Sequence, residues 1–215
     1  CKDCFGKSWN NGVAMDVAGE GVDDNVIMNG RKGIVQDVKA KNISTPSDNA
    51  LDCLKMCADV QGNFIMIDCD GLGIGTWQEL NKIPDIEEKY HILKFHGSTR
   101  YKKCPIENPD NYENLRAKAC FIAQRMLKDG KASIPNIPEL IEELLEIKFF
   151  ENSRGLLQIE DDDDLKERLG RSPDHAMAWI MFIYATSLEL EKRFVENKRD
   201  AYYVKDEPEF NPAIV

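Results

Sequence analysis

The chain has 215 residues, 42% of them hydrophobic, which is enough for one well-packed core with at most a small appendage. No apolar run approaches the roughly 18 residues of a membrane span, and no signal-peptide pattern is present, so we expect a soluble intracellular protein. The formal net charge of −10 excludes a simple electrostatic DNA binder, because such a chain repels DNA as a whole.

The chain is expected to form one domain over residues 12–197, with tails at 1–11 and 198–215. The chain has seven cysteines, an odd number, and they are widely scattered. This excludes a small secreted domain stabilised by many disulfides. We therefore expect reduced thiols.

Three consecutive antiparallel strands are predicted near the start of the chain, where short apolar runs flank turn-forming residues. They cover residues 13–17, 26–28 and 34–38. A helix capped by Ser47 and ended by Gln61-Gly62 comes next. The strongly apolar run 64–67 then predicts a fourth strand that finishes at Asp68.

The second half of the chain is predicted to alternate helices and strands. A glycine-rich turn at 71–75 leads into a helix through Leu80, and a strand at 91–95 completes a βαβ unit, which favours a parallel pair. Two helices, two short paired strands and a long apolar helix opened by Ser172-Pro173 follow. They are predicted at 112–129, 137–147, 147–150, 156–159 and 172–195. The acidic run 161–164 between them is predicted to be a solvated turn.

Three acidic residues fall where a sheet-based fold would expose them together. Asp16 and Asp68 end predicted strands, and Asp174 lies in the first turn of the last helix. Taken singly, each is well explained as a turn former or as a charge at the positive end of a helix. Taken together, they indicate a site for Mg²⁺ or Mn²⁺, since hard cations take carboxylate oxygens and then present positive charge to phosphate. Asp70 competes with Asp68, which the strand end favours.

The segments GVAMDVAGEGVDDNV (12–26), IDCDGLGIG (67–75) and RLGRSPDHA (168–176) resemble, in order and spacing, the nuclease domain of terminase large subunits of tailed bacteriophages. Similar stretches at 112–117 and 140–150 extend the resemblance over about residues 12–185. It implies an α/β fold of the RNase H-like type, in which a mixed sheet of three antiparallel strands and then parallel strands is flanked by helices. It also implies that Asp16, Asp68 and Asp174 occupy the metal-binding, catalytic positions.

The resemblance implies a two-metal-type endonuclease with little sequence specificity that cuts concatemeric viral DNA during genome packaging. Its expected partners are double-stranded DNA, an ATPase domain upstream in a longer protein, the small terminase subunit and the portal, in the host cell cytoplasm. Another RNase H-like nuclease, such as a junction resolvase or an RNA-strand hydrolase, remains an alternative. So does a catalytically silent domain that binds the motor or portal.

The chain departs from the family pattern around the third motif. The family's third ligand can stand at the position of His175 rather than Asp174, so both residues are candidates. Met177 also stands where the family often has an acidic residue one helical turn after the motif, which keeps the silent-domain alternative open.

Basic residues near the predicted site are candidates for contacts with DNA phosphates, which position the backbone without reading its sequence. Ordinary surface solubility explains any one of them about as well. The candidates are Lys39, Lys41, Arg100, Lys102, Lys103, Arg168 and Arg171.

Overall fold

A computed structural model of the chain describes residues 10–18, 23–100 and 110–197. Its strands are β1 (Asn11–Asp16), β2 (Asn25–Arg31), β3 (Ile34–Lys41), β4 (Phe64–Asp68), β5 (His91–Phe95), β6 (Phe149–Glu151) and β7 (Leu157–Ile159). Its helices are α1 (Pro46–Asp59), α2 (Gly73–Asn81), α3 (Ile86–Lys89), α4 (Leu115–Lys128), α5 (Pro138–Glu146), α6 (Asp162–Leu169) and α7 (Asp174–Asn197).

A five-stranded mixed sheet in the order β3-β2-β1-β4-β5 forms the centre of the fold. Strands β1, β2 and β3 pair antiparallel, whereas β4 runs parallel to both β1 and β5. Because β1 and β4 are parallel neighbours, their carboxyl ends lie side by side at one edge of the sheet. The predicted mixed sheet is confirmed.

Helices cover both faces of the sheet, which explains why its central strands are continuous apolar runs. Side chains alternate between the faces. On β1, Ala14 joins the core formed with α4, α5 and α7, while Val13 and Met15 join the core formed with α1 and α2. Trp179 of α7 is buried in the first core.

The long helix α7 crosses one face of the sheet and packs against β1, β2 and β4. Its residues from Ala176 to Ala185 are all buried. The start of the helix is therefore held at a fixed place relative to the central strands. No helix in the described part of the chain is long and apolar enough to span a membrane.

Two elements differ from the sequence prediction. The acidic run 161–164, predicted as a solvated turn, forms the N-cap and first turn of α6, where the helix dipole favours negative charge. The short helix α3 was not predicted at all, and it ends within one turn. Among the described cysteines, Cys53, Cys57, Cys69 and Cys120 are free thiols.

The N-cap of α1 was assigned to the wrong residue. Thr45, not Ser47, accepts a hydrogen bond from the backbone N–H of Asp48 at 3.1 Å. The Asp48 side chain accepts from the Thr45 backbone in return, at 3.2 Å, which completes a capping box. Pro46 fits the first helical position because its missing N–H would have had no partner there.

Replacing Thr45 tests this cap. We expect Thr45→Ala to lower the free energy of unfolding by about 1 kcal/mol, since the backbone N–H of Asp48 loses its acceptor. Ser47→Ala, within the first turn, should change it by less than about 0.5 kcal/mol. Urea titration monitored by circular dichroism measures both, and equal losses in the two variants would contradict the cap assignment.

Candidate metal centre

A cleft of about 510 Å³ opens at the carboxyl edge of the sheet, where β1 and β4 end and α7 begins. Among the residues that line it, acidic side chains predominate: Asp16, Asp23, Asp68, Asp70, Asp161, Asp162 and Asp174. The same cleft contains two basic side chains of the described residues, Arg116 and Lys166. It is the place where the sequence predicted a metal site.

Asp16 and Asp68 meet because they follow paired residues of adjacent parallel strands. Met15 of β1 is in register with Ile67 of β4. The pKa of Asp16 is raised well above its usual value, first because burial disfavours the charged form and then because Asp68 and Asp174 carry like charge. Burial likewise raises the pKa of Asp68.

The backbone around Asp68 is tightly packed and fixes its direction. Asp68 Oδ1 accepts a hydrogen bond from the backbone N–H of Asp70 at 3.0 Å. The next helix closes onto the strand end so closely that a Cβ at Gly73 would lie 1.8 Å from the Asp68 carbonyl oxygen. Only glycine fits at that position, so α2 holds the strand end in place.

Asp174 reaches the cleft from the first turn of α7, and its carboxylate is held from a different part of the chain. Its Oδ2 accepts from the backbone N–H of Asp24 at 2.9 Å. Burial is the main reason why the pKa of Asp174 is raised to about 6. The buried Glu143 of α5 accepts from the Ala176 N–H at 2.7 Å, which fixes the beginning of α7.

Asp70 also lines the cleft, but both of its oxygens already have partners. Oδ1 lies 3.1 Å from His96 Nδ1, and Oδ2 accepts from the backbone N–H of Ser98 at 2.7 Å. These contacts tie the turn after β4 to the loop after β5. Asp68 is the better placed of the two, because its Oδ2 has no hydrogen-bond partner among the residues that the structure describes.

His175 does not line the cleft. Its Nδ1 lies 3.6 Å from Glu143 Oε1, and this carboxylate raises the pKa of His175 above its usual value. Successive helical residues are rotated by about 100°, so Asp174 and His175 point in different directions. The geometry favours Asp174 for the third position.

The two basic residues in the cleft were not singled out from the sequence. Lys166 of α6 lies 3.0 Å from Asp23 Oδ2, and Arg116 of α4 forms an ion pair with Asp162. Arg116 lies within the stretch 112–117 that resembles the terminase family, but nothing in that stretch indicates that its side chain enters the cleft. Lys166 lies in the last turn of α6, a helix that the sequence did not predict.

None of the five described basic candidates for phosphate contacts lines the cleft. Most are engaged with carboxylates: Lys39 and Lys41 with Asp52, Arg168 with Glu160, and Arg171 with Glu142. Arg100 is 77% exposed, with Nε 3.5 Å from Glu113. Lys102 and Lys103 lie outside the described residues. Their contact with DNA stays a prediction.

The donors in the cleft fit a hard divalent cation in kind. Asp16, Asp68 and Asp174 offer carboxylate oxygens, and their mutual repulsion would be relieved by positive charge. Within the described residues, however, no group of three or more Asp, Glu, His or Cys side chains is already arranged to hold an ion. Mg²⁺ is bound through a few carboxylates, keeps several waters and completes its shell with substrate phosphate oxygens.

Comparison with solved structures identifies the fold. The nuclease domain of the large terminase subunit of bacterial virus Sf6 matches with a TM-score of 0.65 at 18% identity, covering 85% of this chain and 91% of that one. A variant of that domain with manganese and beta-thujaplicinol matches with a TM-score of 0.64 at 19% identity, covering 85% and 91%. The large terminase nuclease from thermophilic phage G20c with bound magnesium matches with a TM-score of 0.53 at 15% identity, covering 82% and 80%.

The sequence itself matches no family model and no curated protein. At such low identity, the structural similarity establishes the fold alone. The predicted RNase H-like fold is therefore confirmed, and it is the fold of terminase nuclease domains.

The raised pKa of Asp174 makes the stability of the metal-free chain depend on pH. Its folded pKa of about 6 lies above the usual 3.8, so the folded state binds more protons between about pH 4 and pH 6. Stability then falls as the pH rises through that window. We expect Asp174→Asn, which keeps an acceptor for the Asp24 N–H, to raise the free energy of unfolding at pH 7.5 by about 1–2 kcal/mol.

Urea titrations in EDTA at pH 4 and pH 7.5 measure this effect. The increase in the free energy of unfolding should be smaller at pH 4, where the wild-type Asp174 carboxyl binds a proton. Asp163→Asn, an exposed neighbour outside the cleft, serves as the charge-matched control and should have little effect at either pH. A destabilised Asp174→Asn at pH 7.5 would contradict the burial argument.

Proposed function

We propose that this chain is a metal-dependent endonuclease that hydrolyses DNA phosphodiesters and cuts concatemeric viral DNA during genome packaging. One observation carries the proposal: three carboxylates from separate elements, Asp16, Asp68 and Asp174, line a single cleft in the fold of terminase nuclease domains. Carboxylates held by strand ends and a buried helix form a rigid set of oxygen donors.

The proposed cofactor is Mg²⁺ or Mn²⁺, in keeping with the manganese and magnesium bound to the Sf6 and G20c nucleases. Asp16 and Asp68 would hold it from the sheet, and Asp174 from α7. Two such ions, when bound, activate a water and stabilise the leaving oxygen of a phosphodiester.

The protein's own contribution is to orient these carboxylates. Backbone N–H groups of Asp70 and Asp24 orient Asp68 and Asp174. Such backbone donors move little, so the two carboxylates are set before any ligand arrives. Hydrogen bonds of this kind commonly change metal affinity by about 10–100-fold when removed.

Little sequence specificity is proposed, because the one aromatic side chain among the described residues of the cleft, Phe95, is buried and cannot stack on a base. Partners follow from the proposed role: double-stranded DNA, an ATPase domain of the same terminase, the small subunit and the portal. The motor supplies the grip on DNA that an acidic domain lacks.

A plasmid assay tests the nuclease proposal. We expect the purified chain to nick and linearise supercoiled plasmid in Mg²⁺ or Mn²⁺ but not in EDTA. Asp16→Asn and Asp68→Asn should each cut more than about 100-fold more slowly, since losing a metal ligand removes several kcal/mol of charge stabilisation.

Asp163→Asn provides the matched control, because it removes the same charge from an exposed residue outside the cleft. It should cut like the wild type. A wild-type chain that leaves plasmid intact in both metals would refute catalysis and leave the silent-domain alternative. Faster cleavage of a four-way junction or an RNA–DNA hybrid than of duplex DNA would favour the other nuclease classes.

The third metal position is tested by a second pair of variants. Asp174→Asn should slow cleavage by more than about 100-fold, whereas His175→Ala should slow it by about tenfold or less through the lost Glu143 contact. Initial cleavage rates are measured at several Mg²⁺ concentrations. They separate the loss of a metal ligand from a change in the position of the remaining ligands. The reverse order of severity would assign the third position to His175.

A further inference from the structure

Arg116 enters the cleft from a rigid base at the start of α4. Asn114 caps this helix by accepting from the Ala117 N–H at 2.9 Å. The backbone N–H of Arg116 donates to the Gly97 carbonyl at 2.9 Å, which fastens the helix to the loop after β5. The Arg116 side chain is only 12% exposed, so its guanidinium is confined to the cleft.

The guanidinium is not fully used by the protein. Its Nη2 forms an ion pair with Asp162 Oδ1, but neither Nη2 nor the buried Nε has a hydrogen-bond partner within the described residues. Arginine presents five N–H donors in a planar fork. A buried donor without a partner is unfavourable, so the fork retains capacity for a further acceptor inside the cleft.

Asp162, the ion-pair partner of Arg116, is only weakly constrained. Asp162 lies in the first turn of α6, and its side chain is 60% exposed. Water competes for the exposed Asp162 carboxylate, which weakens its ion pair with Arg116. A phosphodiester presents two non-bridging oxygens to an arginine fork in the same way as a carboxylate does.

We propose that Arg116 binds a backbone phosphate of the DNA in the cleft, and that Asp162 occupies this position until the phosphate displaces it. This inference rests on the proposed function and adds to it a DNA-binding residue that the sequence did not reveal. Asp162 then acts as an internal competitor that lowers the affinity for DNA. Arg116 and Asp162 therefore have opposite effects on binding.

The first measurement follows DNA affinity by fluorescence anisotropy, using a labelled 30-bp duplex in Mg²⁺ over a range of salt concentrations. An Asp68→Asn background suppresses cleavage. Arg116→Gln should lower affinity by about 10–100-fold. It should also reduce the slope of log affinity against log salt by about 0.9, the value for one lost phosphate contact.

Lys128→Gln is the control for losing one positive charge. Lys128 is exposed in the last turn of the same helix and does not line the cleft. It should leave the salt slope nearly unchanged. Arg116→Lys keeps the charge without the fork, and in the cleavage-competent chain it should raise KM more than it lowers kcat.

The second measurement removes the competitor. Asp162→Asn should raise DNA affinity by about two- to fivefold, and by more than Asp163→Asn, which makes the same charge change outside the cleft. In an Arg116→Gln background the gain from Asp162→Asn should disappear, because the two residues act on one phosphate.

The outcomes separate this inference from the function on which it rests. If Arg116 only neutralises the carboxylates, its variants will shift thermal unfolding and leave the salt slope intact, and Asp162→Asn will gain no more than Asp163→Asn. That result overturns the inference while the wild type still cuts. A wild type that neither binds nor cuts DNA overturns the proposed function itself. If Arg116→Gln does not fold, Arg116→Lys and the Asp162 comparison decide.

Discussion

The parallel pairing of β1 with β4 is the contact on which the rest of the molecule depends. It requires the two backbones to approach closely at Gly12, where a Cβ would lie 2.4 Å from the Phe64 carbonyl oxygen. From that register, Asp16 and Asp68 leave the sheet at the same edge. The helix α7 packs across the same strands, and its first turn brings Asp174, from near the end of the chain, to Asp16 and Asp68.

Holding these carboxylates together costs electrostatic free energy, and the surrounding structure offsets this cost only in part. Burial and like charge raise the pKa values of Asp16, Asp68 and Asp174, while backbone N–H groups and the nearby Arg116 act in the other direction. A fold selected only for stability would have replaced such a cluster with neutral side chains. Positive charge in the cleft, such as that of the proposed metal ions, would relieve this repulsion.

The sequence predicted the sheet and the first two acids, because apolar runs that end in Asp mark buried strand ends locally. It misplaced the α1 cap, although Pro46 at the first helical position pointed to Thr45. It missed α6, since four acidic residues in succession lower helix propensity until the dipole and the packing of Leu165 compensate. It did not single out Arg116, whose entry into the cleft is decided by how α4 packs against α7 and the loop after β5.

The charge imbalance of the cleft has a consequence for the order of events on DNA. Among the described residues, seven aspartates face one arginine and one lysine there. A polyanion meets a repulsive barrier at such a surface, and loaded cations reverse the sign of that barrier. Assembly would then be sequential, with ions first and DNA second. Under the proposed function, the domain would stay inactive beside DNA until cations fill the cleft.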